Sequence, residues 1–172
     1  MMNPAALLPR IESRESERFY PAALAFMFVA TSALIARAAG DTLFLTTLGS
    51  ERLPAMYVAG AIAAGAGAYA CARAASKLST AGIVIAVTGF LIAANLAIYL
   101  TLGVLPAGSR VAAYVAADLT GRIPIILFWA LATEMFDASE SRRLFGLLGA
   151  AGTAACLPAG LLVGPLARRL GV

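Results

Sequence analysis

Four ionisable residues stand apart in this 172-residue chain, because each lies inside a long apolar run. Arg37 and Asp41 are four residues apart in one run. Asp118 and Arg122 are four apart in another, with acid and base in reversed order. On a helix, a spacing of four puts both members of a pair on one face. Charges within apolar spans are costly, so they face a protein interior or a watery cavity and find partners. Arginine suits such a place because its planar fork binds carboxylate or phosphate at two points. The chemistry on offer is therefore recognition of an anion, or neutralisation of one buried charge by another. Catalysis by His and haem ligation by His are both excluded, since the chain contains no His. No GxxxxGK[ST] phosphate loop, GxSxG elbow, HExxH or CxxC occurs either. No enzyme activity, no metal and no cofactor is expected.

The elements that must position these charges follow from composition. Hydrophobic residues make up 61% of the chain and charged residues only 13%, about half the share usual for a soluble domain. A soluble domain of this size cannot hide so much apolar surface. That excludes an ordinary soluble enzyme, a disordered tail, a disulfide scaffold and a binder of nucleic acid polymers. It leaves an all-α, polytopic membrane bundle in a lipid bilayer. Five stretches reach the roughly 20 apolar residues that a spanning helix needs. They run over about 21–48, 54–72, 81–104, 111–136 and 144–167, preceded by a cytoplasmic segment, 1–20. The breaks GSERLP, RAASKLS, LPAGSR and DASESRR are short, so neighbouring helices run antiparallel.

Basic residues set the orientation. With the N-terminus in the cytoplasm, Arg10, Arg14, Arg18, Arg73, Lys77, Arg142 and Arg143 lie inside, against Arg52, Arg110, Arg168 and Arg169 outside. Seven against four favours that orientation and places the C-terminus outside.

Measured at about 1.5 Å per residue from Leu48 and Val111, Arg37 and Arg122 lie about 16 Å inward, and Asp41 and Asp118 about 10 Å. If the first and fourth helices face each other, the four charges form one neutral cluster, each Arg within reach of the acid on its own helix or across. Two readings of it stay open: a cluster that pins two helices together, and a cavity whose arginines trade a carboxylate for an anionic ligand. Tyr57, Asn95, Tyr99, Tyr114 and Glu134, also in or near spans, read as interface anchors or interhelical hydrogen bonds. Pro124 is expected to kink the fourth helix. Small residues mark close helix packing: Gly60, Gly65 and Gly67 in the second span, and Gly146, Gly149, Gly152, Gly160 and Gly164 in the fifth, where Gly160 and Gly164 form a GxxxG. Cys71 and Cys156 read as small packing residues.

The stretch ARAAGDTLFLTTLGSERLPAMYV, Ala36 to Val58, holds a base, an acid, an apolar run and then G-x-E-x-L-P. With ILFWALATEMFDASESRRLFGLLGAAG, Ile126 to Gly152, it resembles the N-terminal half of a major facilitator superfamily transporter, most closely the ATP/ADP translocase branch of nucleotide exchangers. The resemblance covers roughly residues 20–170. It implies two three-helix repeats of inverted topology and a first and fourth helix that line a central cavity. It also implies a bacterial inner-membrane location and a phosphate-bearing substrate that meets Arg37. A complete member has two six-helix halves, so five spans imply an incomplete half and another membrane chain that completes the bundle. The alternative is a structural or accessory subunit packed against a larger integral membrane complex.

Overall fold

A computed structural model describes residues 13–49, 51, 53–101 and 108–170. They form five helices and, among the described residues, no strand: α1 (Ser13–Leu48), α2 (Leu53–Ala74), α3 (Thr80–Thr101), α4 (Gly108–Met135) and α5 (Ala138–Leu170). Each is long and apolar enough to cross a membrane. The build is that of a multi-pass helical membrane protein.

Two helix ends differ from the expected boundaries, for local reasons. α1 begins at Ser13, so the second part of the expected 1–20 segment is helical, while residues 1–12 lie outside the described residues. α5 begins at Ala138 rather than 144 because DASE is a capping box: the Glu140 carboxylate accepts the Asp137 amide at 3.0 Å, and the Asp137 carbonyl accepts the Ser141 amide. The charged break is thus the first turn of a helix. At its other end α1 stops on Gly49, whose φ of +77° is the left-handed cap conformation that glycine adopts at little steric cost. α4 runs through Pro124 as one helical element.

α4 is the hub. It packs against α1, α2 and α3, while α5 packs against α1. α1 and α4 are antiparallel. Phe26 stacks on Phe128 with centroids 4.5 Å apart, and Phe44 lies against Tyr114 at 5.0 Å. The largest core joins three helices at one end: Phe19, Ala22, Ala23 and Phe26 of α1, Phe128, Ala132 and Phe136 of α4, and Leu144 and Leu148 of α5. With lipid as apolar as a side chain, such contacts hold helices together by van der Waals packing rather than by removal from water. The outward-facing Phe28, Ile85 and Leu161 remain largely exposed, as a lipid-facing surface requires.

Where contacts are closest, the packing repeats itself. α2 runs parallel to α4, with Gly60 against Asp118 and Gly67 against Ile123. α5 likewise runs parallel to α1, with Gly152 against Phe26 and Gly160 near Leu34. α2 therefore sits on α4 much as α5 sits on α1.

Candidate functional site: a charged seam between α1 and α4

The two helices that carry the charges approach most closely where side chains are smallest. A Cβ placed on Gly40 would fall 2.6 Å from the Ala117 Cβ, and one on Gly121 would fall 3.5 Å from the Ala33 carbonyl oxygen and 4.0 Å from the Arg37 Cβ. This approach brings Arg37, Asp41 and Asp118 around one narrow crevice, with Gly40, Tyr114 and Ala117 completing the lining. The expected juxtaposition of the first and fourth helices is therefore present, with Arg37 and Asp118 on the same seam.

The pairing within the seam is unequal. Arg122 binds Asp118 along its own helix, with Nη2 at 2.8 Å and Nε at 2.9 Å. Both donors go to Oδ1. Asp118 is 6% exposed, and its Oδ2 has no hydrogen-bond partner among the described residues. That oxygen faces α2, where a Cβ on Gly60 would come within 2.8 Å of it. Glycine at 60 is what lets α2 lie over a buried carboxylate.

Arg37 and Asp41 behave differently. Neither forms an ion pair or a hydrogen bond among the described residues, so no arginine bridges the two helices. On α1 they extend the stripe Phe26, Ala30, Leu34, spaced at three and four residues, whose lower part is covered by α5. The cover ends there. A Cβ on Gly160 would only just reach Leu34, at 4.0 Å, and one on Gly164 would touch nothing within 4 Å. Arg37 is consequently exposed and Asp41 half-buried. The seam is thus a closed pair on α4 beside an open, unpaired Arg and Asp on α1, with α2 and α5 on its flanks. The space between them is too tight for a water molecule, so a ligand enters only if the helices part or Arg37 swings outward. A roomier groove of about 260 Å³, between α1, α3 and α4, is lined by apolar residues such as Ala22, Val29, Val84 and Phe128 and holds none of the four charges.

Of the expected packing glycines, Gly60 meets Asp118 and Gly160 barely reaches Leu34. Gly65 and Gly164 have open space at the Cβ position, so the GxxxG of α5 is not the tight contact its spacing suggests. The tight one is Gly152, where a Cβ would fall 2.5 Å from the Phe26 ring. Gly40 gives the closest α1–α4 approach. Ala36 and Gly40 form a small-xxx-small spacing, which glycine pairs alone do not reveal. The softer polar residues act as interhelical ties: Asn95 of α3 donates to Thr120 of α4 at 2.8 Å, and Thr80 donates to Glu134. Tyr57 and Tyr99 are exposed.

No family model, curated protein or solved structure matches the chain. Its function is therefore argued from the seam itself. Among the described residues, no three His, Cys, Asp or Glu side chains gather to hold a metal ion.

Proposed function

We propose that this chain is a membrane-embedded transport unit whose α1–α4 seam receives an anionic solute at Arg37. The observation that carries the reading is the exposed Arg37, with no bonded partner among the described residues, beside the half-buried Asp41 inside a span. Arg122 is already engaged, so Arg37 is the arginine available to exchange a carboxylate for a ligand. The ligand class implied by the resemblance to ATP/ADP translocases is a nucleotide. The inverted pairing of α2 with α4 and of α5 with α1 supports a transporter-like construction.

The proposed setting is a bacterial inner membrane with the N-terminus in the cytoplasm. Antiparallel alternation puts the start of α1, the end of α2 and the start of α5 at one end. Arg18, Arg73, Lys77, Arg142 and Arg143 collect there, and Arg143 pairs with Glu15.

The test is nucleotide exchange by proteoliposomes that hold the protein together with whatever membrane chains co-purify with it. Wild type exchanges, Arg37→Lys exchanges weakly, and Arg37→Ala does not. Equal exchange by Arg37→Ala and wild type would overturn the reading. A second reading, a non-transporting accessory subunit, is favoured by the tightness of the space at the charges. It predicts stable co-purification with a larger complex and no exchange by any variant.

A further inference from the structure

The open half of the seam poses a physical problem. Arg37 lies within the candidate span Glu15–Thr42 of α1 and beside Gly121, about ten residues inside the Val111–Met135 span of α4. A guanidinium at that depth is costly against acyl chains, and α1 offers it no bonded partner in this structure. Asp41, one turn away, has the same need with the opposite sign.

We propose that a second copy of this chain covers the seam. The two copies are related by a two-fold axis along the membrane normal, and Arg37 of each pairs with Asp41 of the other. This deepens the reading above by naming the partner of the same site. Charge complementarity is the argument. Because Arg37 and Asp41 carry opposite charges one turn apart, the patch is complementary to itself, as a two-fold interface requires. A parallel two-fold keeps each residue at its own depth, so Arg37 must span one helical turn to reach the other copy's Asp41. The arginine stem is long enough for that interval, which Arg122 covers to Asp118 in the opposite direction along its own helix. Lipid supplies no carboxylate at this depth, and an unrelated partner would need to bring a matching acid and base at these two levels. A second copy brings both by construction.

The pairing also fits the proposed use of Arg37. The carboxylate of the facing copy is the group an anion displaces.

The experiment exploits the self-complementarity. Arg37→Asp and Asp41→Arg are made singly, tagged differently, and reconstituted into lipid nanodiscs alone and after co-expression. Dimers are counted by native mass spectrometry and paired pull-down, with helicity by circular dichroism as the check on folding. Wild type is dimeric. Each single variant alone loses dimer about tenfold or more, since like charges then face each other. Co-expression yields the mixed dimer, and the double swap R37D/D41R restores the homodimer. The proposal is overturned if wild type is monomeric, if it is held instead by lipid or another protein, or if the single variants dimerise like wild type. It is also overturned if helical variants fail to form the mixed dimer. If a reversal variant loses its helicity, the milder pair Arg37→Gln and Asp41→Asn replaces it, and undiminished dimerisation in both overturns the proposal. Dimerisation without exchange would remove the transport reading alone, and exchange by a monomer would remove the dimer alone.

Discussion

Removing the two seam arginines one at a time should have unequal effects on stability. Arg122 supplies both donors to Asp118 Oδ1, and Oδ2 has no hydrogen-bond partner among the described residues. Arg122→Ala therefore leaves a carboxylate that is 6% exposed with neither oxygen satisfied. Stripping the partner from a fully buried ion pair costs about 3–5 kcal/mol, and a buried polar group left unsatisfied costs about 1–3 kcal/mol. The Arg122 side chain is 37% exposed, which places this pair toward the lower figures, at about 2–3 kcal/mol. Arg37 has no bonded partner within its own chain among the described residues, so Arg37→Ala should leave the folding stability of a single copy within about 0.5 kcal/mol of wild type. The assay is equilibrium unfolding in mixed micelles, followed by helical ellipticity, with Asp118→Asn/Arg122→Ala closing a double-mutant cycle. The double variant should recover part of the loss, because the buried charge goes with its partner. If both arginine variants unfold alike, or if Arg122→Ala is neutral, the division of the seam into a closed and an open half is wrong.

Other outcomes follow from the packing. Gly152→Leu places side-chain atoms where the Phe26 ring already lies and should cost about 1–3 kcal/mol or more, whereas Gly164→Leu meets open space and should be near neutral in the same assay. Gly40→Val should force α1 from α4 at Ala117, read as a lengthened distance between spin labels on the two helices. Asn95→Leu removes the donor to Thr120 and should cost about 0.6 kcal/mol, the average for an interhelical hydrogen bond in a bilayer.

The five spans and their antiparallel order were legible because a bilayer imposes a length and an apolar composition that soluble folding does not. The facing of Arg37 and Asp118 was conditional in the sequence: matched depth permits the meeting, and the close approach of Gly40 to Ala117 brings it about. Which arginine would pair was not legible. Arg122–Asp118 and Arg37–Asp41 have the same spacing but opposite order. An arginine leans toward the N-terminal end of its helix, where Arg122 meets Asp118 and Arg37 has no acid one turn back. In addition, α2 comes close at Gly60, whereas α5 draws away beyond Gly160. The glycines show the same limit. GxxxG marks a face that permits close approach, but a neighbouring helix must be present to use it, and at Gly164 none is within 4 Å. The start of α5 was written in the sequence as D-x-x-E, and its charges made it resemble a loop.

The proposed function requires that Arg37 stand exposed on the open side of the seam while Asp118 is sealed behind it. Cysteine accessibility tests this most directly. Arg37→Cys and Asp118→Cys are each placed in a chain whose Cys71 and Cys156 are replaced by Ala, reconstituted in liposomes, and exposed to a charged, membrane-impermeant methanethiosulfonate. The account predicts rapid modification at position 37 and little at 118. Equal protection of both, or modification at 118 alone, would contradict it.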